Sequence, residues 1–145
     1  MYEVRPSDSV DEPMVRDAWM RSAKGGFAFR GMPNAIFEAE FKPMMASALE
    51  RSVVLVVADK SRPERMLGFS VSEHPDEETA IVHYVYAKHD WRKQGVGHAL
   101  SRAMGLSDTK RVIYTHDNTT ASHIGPKLGW QYNPFLFWRP NLATL

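Results

Sequence analysis

The residues best suited to chemistry in this sequence are Arg92-Lys93-Gln94-Gly95-Val96-Gly97-His98. Two basic side chains precede two glycines, and a helix that opens at the glycines is closed by Gly105. The first amides of such a helix have no partner within it, and its dipole puts positive charge at the same end. Glycine has no Cβ, so a phosphate oxygen can come close to the backbone N–H groups. The pattern therefore suits binding of an anion, above all a phosphate. Residues 80–87, rich in β-branched and aromatic side chains, read as a strand that feeds the loop through a polar turn over residues 88–94. Two other phosphate loops compete with this reading. Nothing supplies the Gly-x-x-x-x-Gly-Lys-Ser/Thr of a Walker loop. Gly95-Val96-Gly97 with Asp117 imitates a dinucleotide fingerprint, but Leu100 stands at the third glycine position and too little chain follows for the second half of such a sheet. The remaining alternative is a plain strand-to-helix connection that binds nothing.

Arg92-x-x-Gly95-x-Gly97 fits Arg/Gln-x-x-Gly-x-Gly/Ala and resembles the pyrophosphate loop of the GCN5-related N-acetyltransferase (GNAT) superfamily, which binds acetyl-CoA there. A later segment is similar to the family's Asn-x-x-Ala-x-x-x-Tyr-x-x-x-Gly-Phe. Asn118, Ala121, Gly129 and the aromatic Trp130 match it, while Gly125 occupies the tyrosine position. In the family this segment contacts the pantetheine arm, and in many members the tyrosine protonates the departing thiolate.

The resemblance implies direct attack of a primary amine on acetyl-CoA in a ternary complex. It assigns the pyrophosphate to Arg92, Lys93, Gln94, Gly95, Val96, Gly97 and His98. The pantetheine amides go to the backbone of Val85, Tyr86 and Ala87, as an added strand, with Asn118 and Ala121 beside them. That pairing requires residues 80–87 to part from the next strand, 111–116, near the loop. A backbone N–H of residues 85–87 would stabilise the oxyanion. A lysine-type amine has a pKa of about 10.4 and must lose a proton first. His83 and His116 are the candidate bases, each with packing or surface placement as the alternative. For the acid role that Gly125 cannot fill, Ser122, His123, Tyr132 and Tyr114 are candidates. A thiol with a pKa of about 8.5 also needs little help to leave. Glu73, Glu77 and Glu78 read as a solvated acidic turn. The histidines show no paired metal-ligand spacing and no Gly-x-Ser-x-Gly elbow exists, so neither a metal site nor a serine nucleophile is expected.

The elements that must hold these residues follow from pattern. Residues 2–6 read as a strand. Ser9-Val10-Asp11-Glu12 reads as a capping box for a helix with Met14, Val15, Ala18, Trp19 and Ser22 on one face. A glycine-rich loop over 23–33 carries Phe27 and Phe29, candidates for an acceptor pocket. Asn34 is the expected cap of a second helix, interrupted at Pro43 and resuming to Glu50, with Trp19, Phe37 and Phe41 as core. The apolar run 52–58 is a buried strand, 66–72 the next, and 73–78 a turn, giving an antiparallel meander. Strand 111–116, a helix from residue 117 ending by Gly129, strand pieces at 130–132 and 135–138, and a frayed tail over 141–145 complete the order β-α-α-β-β-β-α-β-α-β. The expected fold is α/β of GNAT type, a mixed and mostly antiparallel sheet flanked by helices, in a single domain over residues 1–145.

A chain of 145 residues is long enough for a proper core. A net charge of +1 argues against nucleic acid or an anionic membrane as an obligatory partner. Without cysteine there is no disulfide framework, no thiolate nucleophile and no cysteine-based zinc site. A cytoplasmic setting is the default expectation. In the resembling family, strands near the C-terminus often pair, so a homodimer is possible. Two rival readings remain: a catalytically silent GNAT-fold protein that binds acyl-CoA and acts by docking, and a nucleotide-binding module.

Overall fold

Residues 53–58 are apolar at nearly every position because β2 (Val53–Asp59) has both its faces covered. Val54 and Val56 pack under α1 (Glu12–Lys24) and α2 (Asn34–Arg51), whereas Leu55 and Val57 pack under α3 (Val96–Ala103). The computed structural model describes residues 1–26, 28–116 and 125–138. Its remaining elements are β1 (Tyr2–Pro6), β3 (Arg62–Asp76), β4 (Thr79–Ala87), β5 (Arg111–Tyr114), β6 (Gln131–Tyr132) and α4 (Phe135–Trp138). The strands lie side by side in chain order. The pairings from β1 to β4 are antiparallel, and those of β4 with β5 and β5 with β6 are parallel. The expected mixed sheet flanked by helices is therefore what forms. No helix among the described residues is long and apolar enough to cross a membrane.

One irregularity matters for the site. Ser72 pairs with Val82 and Val71 with Tyr84, so β4 carries one extra residue, His83, opposite a single step of β3. Such a bulge turns two consecutive side chains toward one face. Ala80 and Val82 face α3, and so do Val85 and Ala87, with the alternation shifted by one between them. Tyr84 instead joins Trp19, Phe41 and Phe69 beneath α1 and α2.

Several local expectations are corrected. Helix α2 runs unbroken through Pro43. Pro43 and Ala39, whose carbonyl loses its partner there, are both exposed, so that carbonyl is left open to solvent. The buried stripe Phe37, Phe41, Met45, Ala48 continues across the proline and holds the helix in place. Asn34 is the first helical residue, not the cap, and Pro33 precedes it. The capping box also fails. The first helix starts at Glu12 with Asp11 at the N-cap and no side-chain cap bond. The Asp11 carboxylate instead takes the forked guanidinium of Arg5 at 2.6 and 3.0 Å, a stronger charge-assisted pair. Strand β3 starts at Arg62 and runs to Asp76, so Glu73 belongs to the strand and only Glu77 and Glu78 form the turn. Strand β5 ends at Tyr114. Residues 135–138 form a turn of helix, not a strand, where the Asn133 side chain accepts the Phe135 amide at 3.2 Å.

Gly68 sets how closely α3 can lie on the sheet. A Cβ there would stand 2.5 Å from the Tyr86 carbonyl oxygen and 2.8 Å from Val96 Cγ1. Backbone cannot yield at the first contact, so Gly68→Ala is expected to cost about 1–3 kcal/mol. Urea denaturation measures this, and a variant as stable as the parent would disprove the close packing.

Candidate active site

The His83 bulge coincides with a fork in the sheet. β4 pairs with β5 only from Thr79 to Val82, and the last backbone bond across the pair runs from the Thr115 amide to the Val82 carbonyl at 3.0 Å. β4 continues to Ala87, paired on its other side with Val71, Ser70, Phe69 and Gly68 of β3. Val85 is buried, and Tyr86 and Ala87 are half-buried.

Where β4 ends, the chain makes a 3-10 turn at His89–Trp91 and enters α3 through Gly95. Gly95 has φ +82°, the left-handed region that glycine enters without cost. The loop is tied at two points: Arg92 Nε donates to the Ala87 carbonyl at 3.2 Å, and the Tyr2 hydroxyl donates to the Gln94 carbonyl at 3.1 Å. The first helical amide with a backbone acceptor is that of Ala99, which donates to Gly95 O at 3.0 Å. The amides of Val96, Gly97 and His98 have no backbone partner among the described residues. Arg92, Lys93, Gln94 and His98 are exposed around them. Three spare amides, two exposed cations and a residue without Cβ suit a diphosphate.

On the other face of β4, the fork holds a continuous polar chain. Arg51 Nε donates to Glu73 Oε1 at 3.0 Å. The same oxygen lies 2.6 Å from His83 Nε2. His83 Nδ1 lies 3.0 Å from Thr115 Oγ1, which lies 3.1 Å from His116 Nδ1. His83, Glu73 and Thr115 are all buried. His116, half-buried, has its ring against Phe137, Tyr84, Trp19 and Phe41 at centroid distances of 4.7 to 6.2 Å. The chain reaches its ring through Nδ1. Burial first, and then Arg51, push the His83 imidazole below its ordinary value, against its bond to Glu73. Burial and then His83 push His116 down to about 3, against a smaller opposing effect of the His83 backbone.

His83 is fully buried with both ring nitrogens engaged, so it cannot touch an acceptor directly. Of the two candidate bases, only His116 keeps exposed surface. Glu73, read from sequence as part of a solvated turn, is a buried ion-pair partner instead. Arg51 and Thr115 were not singled out by the sequence, and Glu73 was read there only as a solvated charge. The one available signal was the alternation Phe69, Val71, Glu73, which points Glu73 inward once the strand is allowed to continue.

Tyr114 is buried in the same cluster as Val85, Val96 and Leu100. Tyr132 is half exposed and packs against it with the rings tilted by 35° and their centroids 5.1 Å apart. Gly125 is buried and opens a 3-10 turn that ends at Gly129, φ +74°. Asn118, Ala121, Ser122, His123, Phe27 and residues 141–145 lie outside the described residues. Trp19, Phe37 and Phe41 are core, and Phe29 packs edge-on against Phe37 and Phe41. Among the described residues no group of three His, Asp or Glu is disposed to hold a metal.

No protein-family profile matches the chain, and no curated protein sequence does either. Solved structures do match. A protein from Pyrococcus furiosus assigned as an acetyl transferase superposes with a TM-score of 0.63 at 16% identity, over 92% of this chain and 95% of its own. A GNAT-family acetyltransferase from Staphylococcus aureus gives 0.61 at 6% identity, over 88% and 81% of the two chains. A GNAT-family acetyltransferase from Elizabethkingia anophelis with acetyl-CoA bound gives 0.52 at 13% identity, over 88% and 73%. The fold is therefore that of the GNAT acetyltransferases.

The two histidines make stability depend on acidity. An imidazole held neutral in the native state but free to charge at about 6.5 in the unfolded chain stabilises fully above that value and progressively less below it. We expect a flat plateau above neutrality and a loss on acidification of up to about 1.4 kcal/mol per pH unit for each histidine. Urea denaturation of the parent and His116→Gln between pH 7.5 and 5 tests this, because that window lies above the carboxylate range. Parallel profiles for the two proteins would rule out the assignment to His116.

Proposed function

We propose that this chain is an acetyl-CoA-dependent N-acetyltransferase that acetylates a primary amine, acting as one domain over residues 1–145. The observation that carries the reading is the adjacency of two features. The forked end of β4 runs directly into a glycine loop whose spare amides and cations suit a diphosphate. The fold comparisons support the same donor. When bound, acetyl-CoA supplies the acetyl group already activated as a thioester. We assign its pyrophosphate to the amides of residues 93–98 with Arg92 and Lys93. Its pantetheine arm goes to the backbone of Val85, Tyr86 and Ala87, with Asn118 and Ala121 as further contacts.

This chain's own residues then have separate tasks. A backbone N–H of residues 85–87 holds the negative charge that builds on the thioester oxygen. His116 takes the proton that an ammonium must lose before its nitrogen can attack. Trp19, Tyr84 and Phe137 orient the His116 ring and limit water around it. Among Tyr114, Tyr132, Ser122 and His123, we place Tyr114 closest to the thiolate role, because it shares a buried cluster with Val85. Gly125 favours one other reading, a silent acyl-CoA binder, since no hydroxyl comes from the position where the resembling family carries its tyrosine.

Thiol release, followed with a chromogenic disulfide across a panel of amines, separates the two readings. Turnover establishes the enzyme, and CoA binding without thiol release leaves the binder. Gly95→Asp should abolish CoA binding measured by calorimetry. Its left-handed φ and the Tyr2 hydroxyl 3.3 Å from the new Cβ add a folding cost of about 1–2 kcal/mol. Circular dichroism checks that the fold survives, and normal CoA affinity in a folded variant would refute the loop assignment. His116→Gln should raise the pH at which kcat/KM reaches its plateau. An unchanged pH–rate profile would remove His116 from the base role.

A further inference from the structure

We propose that Glu73, His83 and Thr115 form a proton relay behind His116, which fixes its tautomer and carries the acceptor's proton to a buried carboxylate. The proposal rests on the N-acetyltransferase reading for its catalytic part and on geometry alone for the relay itself.

The direction of the chain follows from what each group can do. Glu73 Oε1 faces the Arg51 guanidinium and His83 Nε2 and, as a carboxylate, only accepts. His83 Nε2 therefore carries its proton, and in a neutral imidazole that leaves Nδ1 as an acceptor. The Thr115 hydroxyl must donate to it, so Thr115 Oγ1 is open to accept. It accepts from His116 Nδ1–H. His116 then holds its proton on Nδ1, which leaves Nε2 as the basic nitrogen of its ring. With Glu73 ionised and His83 neutral, each step follows from the one before it.

Run as one concerted shift, the same order moves a proton without leaving a charge on either ring. An ammonium gives its proton to His116 Nε2. The Nδ1 proton of His116 passes to Thr115 Oγ1, and the Thr115 hydroxyl proton passes to His83 Nδ1. The Nε2 proton of His83 passes to Glu73 Oε1. One proton enters and one reaches the carboxylate, so each heavy atom keeps its valence and both rings have exchanged tautomers. The stored proton returns by the reverse shift after product leaves. Burial disfavours an imidazolium at both histidines, so a route that avoids one suits this setting. The charged and titratable groups facing the two rings are Arg51 from α2, Glu73 from β3 and Tyr84 from β4. Trp19, Phe41 and Phe137 face His116 from α1, α2 and α4. The bulge is what makes this possible, because it puts His83 opposite Thr115 while Tyr84 packs on His116.

The test uses the full chain, without ligand for the tautomers and with acetyl-CoA and an amine for the kinetics. Nitrogen-15 NMR of the histidine rings at pH 7 should show His83 as the Nε2–H tautomer and His116 as the Nδ1–H tautomer, which is the less common form in solution. Thr115→Val keeps the shape but removes both hydroxyl bonds. His116 should then shift toward Nε2–H, kcat/KM at pH 7 should fall about 100-fold or more, and its plateau should move to higher pH. Thr115→Ser should restore the tautomer and the profile. His116 found as Nε2–H in the parent protein would overturn the relay, as would an unchanged pH profile in Thr115→Val. Absence of thiol release from the parent with every amine would defeat the enzymatic reading and the catalytic part of this proposal, while the tautomers would still decide the hydrogen-bond order.

Discussion

One surplus residue in β4 controls the whole arrangement. Without His83 as an extra step opposite β3, the alternation along β4 would run unbroken, and His83 and Tyr84 could not serve the same side of the sheet. With it, the phase slips by one. Val82 and Val85 both reach the α3 layer, and the strand twists out of register with β5. A parallel pair that ends early would expose polar backbone in the middle of a sheet. Here the divergence falls at residues 83–87, the stretch to which the acetyltransferase reading assigns the pantetheine arm. The bulge, the fork and the glycine loop are thus one construction, because the strand released from β5 delivers the chain directly into α3.

The cost of the construction is a buried charge. Glu73 is nearly inaccessible, and a lone carboxylate at that depth would destabilise the fold by several kcal/mol. Arg51, in the last turn of α2, supplies the counter-charge and is itself held by Ser47 at 2.5 Å. His83 supplies a second donor. α2 must therefore reach Arg51 for the site to be neutral, and this explains the importance of its passing Pro43 intact. The stripe from Phe37 to Ala48 keeps the helix straight enough to bring Arg51 to Glu73. Core packing and site electrostatics are joined at that helix end.

Much of this was legible in residue pattern. The strand before the loop, the glycine opening and the basic residues pointed to the candidate phosphate loop, and continuous apolar runs gave the buried strands. The polar chain was hidden for identifiable reasons. Its members lie on α2, β3, β4 and just past β5, so no local spacing connects them. Glu73 sits beside His74-Pro75-Asp76, whose composition reads as a turn, and only its pairing with Ile81 shows that the strand continues. Asp11 looked like part of a cap because nothing in sequence reveals that Arg5 lies across from it. Phe135 to Trp138 resemble a strand in composition, yet Pro134 and the Asn133 side chain favour a turn of helix. Each miss is a case of a tertiary partner overriding a local preference.

On the acetyltransferase reading, the two proton transfers are unequal, and the site reflects this. A primary amine with a pKa of about 10.4 is almost entirely charged at neutral pH, whereas a thiolate of about 8.5 is a tolerable leaving group. The difficult step is deprotonation of the acceptor. Four side chains and a buried carboxylate are gathered on that side, while a glycine stands where the resembling family keeps its acid. A His116 whose imidazolium is unfavourable would be a poor base if it had to keep the proton. It becomes an effective one if the proton moves on, and the chain behind it ends in the one group able to hold a proton there without acquiring a net positive charge. The depressed basicity of His116 then does not argue against its role, since it prevents the proton from being trapped at the first stop.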